Sequence, residues 1–586
     1  MITLEPNSTA ERKIDRTMLK GQKMLSRFSE LKNWSIVFSI FFVLLVAAMP
    51  SQSLASPIQE LLRNRIESAG SPIKLSVGEE TIYAAVVLPA FYERRIYRPA
   101  WVNEKGPLPQ AKSLLQAIQT ADREGLRPDD YHRNKIELVV SDIRKTRKIF
   151  KPPNPRLLVD LDLLLTDAFL MYGSHLVAGR INPERIDPQW FVSRREADLV
   201  QVLEEALTSA EIEKALKSLL PLHAGYERLR TALALYRKIA ANGGWPSVPE
   251  GPKVQKKDQS DQIAVLRQRL LAERFIEKPT AAASPSFDDE LEQALKKFQI
   301  QNGLEPDGVL GKQTIQALNM SAEERIRQII ANMERWRWLP QDLGIRYILV
   351  NIAGFNLDVI EDQKLVAEMR VVTGKPYRST PVFSDKITYL VMNPYWAVPE
   401  TIAKKDILPK AKKDPAFLEN QKFKIFQGWG ADTREIDPRT VDWKAVTAAD
   451  LKLRFRQDPG PQNALGRVKF MFPNQFDVYL HDTPSRELFA KARRDFSSGC
   501  IRVEKAVELA EYLLRNHPDW PVEKIRLALT GAESVEKTVK LPEPVNIHIL
   551  YWTVWVGKDD LIHFSPDIYD RDKALDEALQ EPPPGA

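Results

Sequence analysis

Cysteine is almost absent from this chain, which has a single one, Cys500, in 586 residues. One cysteine excludes an internal disulfide and leaves no cysteine cluster for a metal. Histidine is also scarce, with seven residues, and the His-Glu-x-x-His pattern of helical zinc sites does not occur. We therefore expect no metal and no cofactor, and a cysteine that is either inert or used chemically.

A strong excess of positive charge is lacking too. The chain has 84 Lys and Arg against 78 Asp and Glu, a net charge of +6, with no concentrated basic stripe. This balance argues against nucleic acid as a partner. The composition, 44% hydrophobic and 28% charged, is that of ordinary globular protein, and the length suggests about three to four domains.

Long apolar runs without a charged residue are few, and the longest lies near the N-terminus. A polar segment with seven Lys and Arg against four Asp and Glu precedes the apolar residues 34–49. As a helix these sixteen residues span about 24 Å, short of a hydrocarbon core of about 30 Å, and Ser53-Leu54-Ala55 suits a signal peptidase. The sequence predicts a cytoplasmic n-region at 1–33 and an export signal at 34–55, either cleaved or retained as an anchor.

Three further regions follow, separated by changes in hydrophobic period. Residues 56–244 are helix-rich and charged and contain no catalytic pattern, and Gly243-Gly244-Trp245-Pro246 marks their end. Residues 248–320 form a compact helical unit, with helical stripes at 263–270 and 291–298 and a loop at 278–286. Residues 345–540 alternate with the period of strands, and strand alternation returns in the tail, 541–586.

The surroundings of Cys500 suggest a nucleophile. A cysteine nucleophile needs a base and donors for an oxyanion. His481 ends a predicted strand at 476–480, nineteen residues before the thiol. A predicted helix at 504–514 puts the thiol near a helix N-terminus, which lowers a thiol pKa. Gly499 allows close approach of a substrate to the backbone, and Arg502 adds a fixed positive charge.

Each of these residues also has a structural interpretation. Most free cysteines are small buried hydrophobes, Ser497 and Ser498 can cap a helix, and Arg502 can be a surface charge. We expect the other six histidines to satisfy structural hydrogen bonds, namely His132, His175, His223, His517, His548 and His563. A strand-end histidine followed by Ser-Gly-Cys-x-Arg at a helix start is a rarer combination and favours catalysis.

The catalytic block resembles the YkuD-type L,D-transpeptidases, which carry a His followed by [S/T]-x-G-C-x-R. The likeness extends to the large multi-domain Gram-negative murein L,D-transpeptidases (YcbB-like). It rests on VMNPYWAVP (391–399), KDILP (405–409), GPQNALGRVKF (460–470), YLHDTP (479–484) and SSGCIRV (497–503). Many smaller members have His where this chain has Ser498. Separately, FQIQNGLEPDGVLG (298–311) resembles small three-helix peptidoglycan-binding domains, some of which serve only as spacers.

The resemblance implies a multidomain α+β protein: a helical scaffold domain (56–244), a three-helix peptidoglycan-binding-like domain (248–320) and a β-rich catalytic domain (345–540) with a lid insertion (401–461). Cys500 would be the nucleophile, His481 the general base and acid, and backbone N–H groups at Gly499 and Cys500 the oxyanion donors, with Ser498 and Arg502 in support. Substrate contacts are expected from Tyr479, Trp396 and Arg467.

The implied reaction transfers a stem tetrapeptide from its terminal D-alanine to a diaminopimelate amine, which makes a 3–3 cross-link in the periplasm. The implied partners are peptidoglycan stem peptides, carbapenems as covalent inhibitors and, if the N-terminal segment is uncleaved, the inner membrane. The same family resemblance leaves L,D-carboxypeptidase and lipoprotein-anchoring reactions open.

Two other classes of protein are weighed against this one. A D,D-transpeptidase needs Ser-x-x-Lys with Ser-Asp-Asn and Lys-Thr-Gly; the first occurs at 71–74 and 534–537, but the other two are absent. A non-catalytic murein-binding scaffold would be expected to lose Cys500 or His481, and both are present.

Overall fold

The computed structural model describes residues 56–70, 73–148, 152–277, 286–531 and 535–583. The predicted n-region and export signal, and nearly all of the loop predicted at 278–286, lie outside these residues. Within the described ranges, no helix combines the length and apolar character needed to cross a membrane. The protein is a multidomain α+β structure, as the resemblance implies.

The N-terminal region is a helical domain around its own apolar core. Its centre is α5, whose 24 residues are buried almost all round, as an apolar run without a polar stripe predicts. The helices are α1 (Pro57–Glu67), α2 (Leu88–Arg94), α3 (Pro109–Gln119), α4 (Arg133–Lys148), α5 (Pro155–Ala178), α6 (Pro183–Ile186), α7 (Leu199–Ser209), α8 (Ile212–Ser218) and α9 (Ala224–Ala241). The short strands are β1 (Ser76–Val77), β2 (Glu80–Thr81), β3 (Val102–Asn103), β4 (Gly106–Pro107) and β5 (Trp190–Phe191).

A small three-helix unit follows, with a separate core. Its helices are α10 (Gln262–Ala272), α11 (Asp289–Gln301) and α12 (Lys312–Leu318). The predicted stripes at Leu266 and Leu270 and at Leu295 and Phe298 are fully buried, which confirms both helices.

The next helix, α13 (Ala322–Arg337), joins three parts of the chain. Buried Arg337 donates to the Glu124 carbonyl at 2.8 Å and to the Tyr226 hydroxyl at 3.0 Å, both in the helical region. Buried Arg335 pairs with Asp572 of the C-terminal tail at 2.6 Å. The domains are therefore tied together by buried charged groups as well as by apolar contact.

The C-terminal half is built on one sheet that closes on itself, because β14 pairs with both β15 and β9. The order around it is β14-β15-β17-β8-β7-β6-β18-β9, with β16 beside β8. Its strands are β6 (Arg346–Asn351), β7 (Asn356–Glu361), β8 (Lys364–Gly374), β9 (Val382–Met392), β14 (Val468–Met471), β15 (Leu480–His481), β16 (Asp495–Ser497), β17 (Ile501–Val503) and β18 (Lys537–Leu550). The helices α17 (Ala506–Leu514) and α18 (Val522–Thr530) pack on it, and β19 (Val554–Val556), β20 (Ile562–Phe564) and α19 (Arg571–Gln580) complete the chain.

One predicted domain boundary cuts through this sheet, and the predicted scaffold domain also contributes to it. The boundary between 540 and 541 falls inside β18, which pairs with both β6 and β9. The scaffold region contributes β5, which runs parallel to β9, and the side chains of α9 belong to the same core as the sheet. Apolar alternation could not reveal either feature, because both depend on pairing between distant segments.

The lid, defined here as residues 396–461, has its own sheet and core. The sheet order is β10-β13-β11-β12, so the lid begins at Trp396 rather than at the predicted 401. Its elements are β10 (Trp396–Ala397), α14 (Glu400–Ile402), a π-helical turn (Ala403–Ile407), α15 (Leu408–Lys413), α16 (Ala416–Asn420), β11 (Phe423–Gln427), β12 (Arg434–Ile436) and β13 (Leu453–Gln457).

Candidate active site

Strand pairing brings His481 and Cys500 to one edge of the closed sheet. β15 and β17 run in parallel, with Leu480 opposite Ile501 and His481 opposite Arg502. The Ile501 N–H donates to the Tyr479 carbonyl at 3.1 Å, so Cys500 lies beside Tyr479 at the start of β17. The register therefore puts Cys500 opposite Tyr479, two residues from His481 on the adjacent strand.

The strand predicted at 476–480 is wrong, since β15 contains only Leu480 and His481. Asn474 accepts from the N–H groups of Phe476 and Val478, and Asp477 has a φ of 53°, so the chain turns here. The turn aims the Asp477 carbonyl at the thiol, which donates to it at 3.7 Å.

The expected helix N-terminus at Cys500 is also absent. β17 follows the thiol directly, and α17 begins only at Ala506. Without a helix dipole to favour the thiolate, burial raises the pKa of Cys500 to about 11, against hydrogen bonds from Tyr479 and the charge of Arg502. The resting site therefore holds a protonated thiol, contrary to the expected lowering of its pKa.

His481 is neutral and has a defined tautomer. Its Nδ1 lies 2.6 Å from the Asp482 carbonyl, which can only accept, so Nδ1 carries the proton and Nε2 keeps a free lone pair. Burial, together with repulsion from Arg502 and Lys469, lowers the pKa of His481 to about 3. At neutral pH the two groups are a neutral thiol and a neutral base, not an ion pair.

The backbone around Gly499 is held by two hydroxyl groups. Ser497 Oγ accepts from the Gly499 N–H at 3.1 Å and donates to the Cys500 carbonyl at 2.6 Å. Thr380 Oγ1 donates to the Gly499 carbonyl at 2.8 Å. Because its N–H is already engaged, Gly499 does not fit the expected role of oxyanion donor, whereas the Cys500 N–H has no partner among the residues described.

Gly499 is required for another reason. Its φ of 118° lies in a region that residues with a side chain rarely adopt, so this position needs glycine for conformation. An added Cβ would meet only the carbonyls of Ser379 and Arg378, at 3.8 and 3.9 Å.

Ser498 and Arg502 occupy different environments. Ser498 is exposed, and its Oγ accepts from Arg378 Nη1 at 2.7 Å. The same nitrogen bonds Asp406 of the lid at 2.6 Å, so Arg378 bridges the lid and the loop that carries the thiol. Arg502 is half-buried beside His481, and its Nε is buried with no partner among the described residues.

The three residues expected to contact substrate lie in different parts of the structure. Tyr479 lies in the site: its ring is 5.7 Å from that of His481, and burial and its interaction with Cys500 raise its pKa. Trp396 is half-buried and packs against the lid core, 6.0 Å from the Phe423 ring, and its contact with substrate stays a prediction. Arg467 lies at the start of β14, and its backbone N–H donates to Asp482 Oδ2 at 2.9 Å.

Several residues of the site were missed from the sequence. Asp482 accepts from both His481 and Arg467, while Ser497, Thr380 and Arg378 fix the thiol loop. Of these residues, only Asp482 and Ser497 lie in the motifs around the thiol and the histidine, YLHDTP (479–484) and SSGCIRV (497–503), so only these two could have been identified from the sequence. Five of the remaining histidines make the expected structural hydrogen bonds, namely His132, His175, His223, His517 and His548. His563 stacks on Trp555.

A cysteine and a neutral histidine on adjacent strands, with glycine before the thiol, supply the residue types that cysteine acyl transfer requires. Family comparisons agree. Residues 345–539 match the L,D-transpeptidase catalytic domain (YkuD), residues 259–318 match a "putative peptidoglycan binding domain", and residues 87–233 match a scaffold domain. The chain thus carries an L,D-transpeptidase catalytic domain together with these two.

Individual relatives carry the same description. A protein of Haemophilus influenzae named "Putative L,D-transpeptidase" is 35% identical over 271 residues, 45% of this chain and 53% of that protein, so the chain spans about half of its length. Solved L,D-transpeptidases include one from Stackebrandtia nassauensis, 12% identical over 51% of this chain and 97% of that one, with a TM-score of 0.21. One from Mycobacterium smegmatis is 12% identical over 35% and 58%, with a TM-score of 0.18.

Proposed function

We propose that the protein is a peptidoglycan L,D-transpeptidase that uses Cys500 as nucleophile. The observation that carries this is the pairing of β15 with β17, which sets Cys500 beside a neutral His481 whose Nε2 is a free acceptor. The family match of the same residues and the neighbouring peptidoglycan-binding match support murein as the substrate.

Acyl transfer begins from the neutral pair. His481 Nε2 takes the proton of Cys500 as the sulfur attacks the carbonyl between the L-centre of diaminopimelate and the terminal D-alanine. The Cys500 N–H faces the developing oxyanion. His481 then gives its proton to the departing D-alanine amine, and a thioester remains on Cys500.

The second half of the reaction releases the thioester. The side-chain amine of diaminopimelate from another stem attacks the carbonyl, His481 removes its extra proton, and the thiol recovers that proton on leaving. The product is a 3–3 cross-link made without ATP. Because this route does not use a D,D-transpeptidase, it would support β-lactam tolerance, and it requires an extracytoplasmic location for the bulk of the chain.

Intact mass measurement tests the chemistry. The full chain incubated with meropenem should gain the mass of one carbapenem, and folded Cys500→Ser should gain none. Incubation with a purified disaccharide tetrapeptide should yield a dimer lacking one D-alanine. A monomeric tripeptide in place of the dimer would mean that water accepts the acyl group and the enzyme is an L,D-carboxypeptidase, and an unmodified wild-type protein would refute the nucleophile.

A further inference from the structure

The outer face of the lid sheet displays arginines between aromatic rings. Phe426 is opposite Arg454 in the β11–β13 register, and their neighbours Ile425 and Phe455 are also opposite each other. Ile425 and Phe455 are 0% and 2% exposed in the lid core. Because side chains alternate along a strand, Phe426, Arg454 and Arg456 face the opposite way, toward solvent.

These side chains contact one another in a row. The Arg456 guanidinium lies 4.5 Å from the centre of the Tyr395 ring and 4.8 Å from that of Phe426. The Arg454 guanidinium lies 4.3 Å from the centre of the Trp429 indole. We call Tyr395, Arg456, Phe426, Arg454 and Trp429 the arginine–aromatic stripe.

Lid stability alone does not account for the outer end of the stripe. Trp429 is 77% exposed, so it buries little apolar surface, while the lid core lies on the other face. Arg454 Nη2 donates to the Gly428 carbonyl at 2.7 Å, which holds the loop and the indole in place. An exposed aromatic ring that is held in one position beside a guanidinium can bind a ligand through both its ring face and the neighbouring charge.

The inner end of the stripe leads to the candidate active site. The Tyr395 N–H donates to Glu536 Oε1 at 3.0 Å, and Lys537, the next residue, pairs with Met392 in the closed sheet. On the neighbouring strand Lys469 is opposite His481, with its ammonium 5.8 Å from the Tyr479 ring. Lys469 interacts electrostatically with both Glu536 and Cys500, so Glu536 links the inner end of the stripe to the groups near the thiol.

We propose that the arginine–aromatic stripe binds a murein glycan strand and directs its stem peptides to Cys500, an inference that rests on the proposed function. Flat aromatic rings stack on the apolar faces of sugar rings, and arginine binds the free carboxylates that the stem peptides carry. Murein combines both features in one polymer, which matches the alternation of ring and cation along the stripe.

The test compares polymeric and small substrates on the full chain. The double variant Trp429→Ala/Arg454→Gln should raise the KM for uncross-linked glycan strands about tenfold, since exposed ring and cation contacts are individually modest. Acylation by meropenem, a small molecule without a glycan strand, should stay within about twofold of wild type. The matched control is Arg439→Gln, an exposed lid arginine already paired with Asp437, which should change neither value.

Each result decides between interpretations. An unchanged KM for glycan strands in the folded double variant would overturn the proposal. A fall in meropenem acylation with a lowered Tm would overturn it as well, because the stripe would then only stabilise the lid. Wild-type protein that meropenem does not acylate would instead refute the proposed function, whatever the stripe binds.

Discussion

The protonation states of the site predict how the acylation rate depends on pH. The pKa of Cys500 is raised to about 11, so at pH 7 the thiolate is about one part in 10,000 of the enzyme. The pKa of His481 is lowered to about 3, so its imidazole is already neutral well below pH 5. Between about pH 5 and 9 neither group changes state, and the wild-type rate constant with meropenem should be nearly flat.

Removal of the imidazole should change the shape of this profile. In His481→Ala only the rare thiolate reacts, so the rate should rise about tenfold per pH unit toward pH 9 and lie about 100-fold to 10,000-fold below wild type at pH 7.

The assay is a time course of intact mass with meropenem at half-unit steps from pH 5 to 9. His517→Ala serves as the control, because His517 lies outside the site and only accepts from the Asp519 N–H. A wild-type profile with an acid limb near pH 6.5 would refute the lowered pKa of His481. A flat profile for His481→Ala would refute the base.

Three further changes test the support of the site. Gly499→Ala should slow acylation more than 100-fold, because alanine is strained at a φ of 118°; wild-type acylation would contradict that argument. Tyr569→Phe removes a hydroxyl that donates to the Gly374 carbonyl at 2.6 Å and accepts from the Thr380 N–H at 3.2 Å. Acylation should slow about threefold to 30-fold with little change in Tm. An unchanged rate would show that the Tyr569 hydroxyl does not support the thiol loop. Asp406→Asn weakens the bridge from the lid to Arg378 and should speed deuterium uptake at 401–411, whereas Asp437→Asn, elsewhere in the lid, should not; equal uptake in both variants would show that the bridge does not hold the lid.

The sequence predicted those parts of the fold that depend on local pattern. Alternation at Ile348 and Val350 and at Leu357 and Val359 marked β6 and β7, and all four side chains are fully buried. The catalytic block could be found because its residue types are rare together. These signals lie within a few residues of one another, so no knowledge of distant contacts was needed.

The features that the sequence did not reveal depend on tertiary contacts. Ile501–Val503 is too short to show a hydrophobic period, so the sequence alone does not predict β17 and favours a nearby helix. For the same reason it predicts a lowered pKa for Cys500, whereas burial raises that pKa. Trp396 lies in a family motif, but its packing against the Phe423 ring and the lid core depends on the lid fold, which the motif does not show. The Arg378 bridge joins residues 378, 406 and 498, which no local pattern connects.

The position of β18 affects when the chain can become active during its synthesis. Cys500 and His481 are made before Lys537–Leu550, the strand that lies between β6 and β9. Until that strand is available the sheet cannot close, and the Tyr569 hydroxyl that steadies the Gly374–Thr380 loop comes later still. A chain that ends between Val503 and Lys537 contains both Cys500 and His481 but lacks the strand that closes the sheet around them. We therefore expect a nascent chain of that length to be inactive.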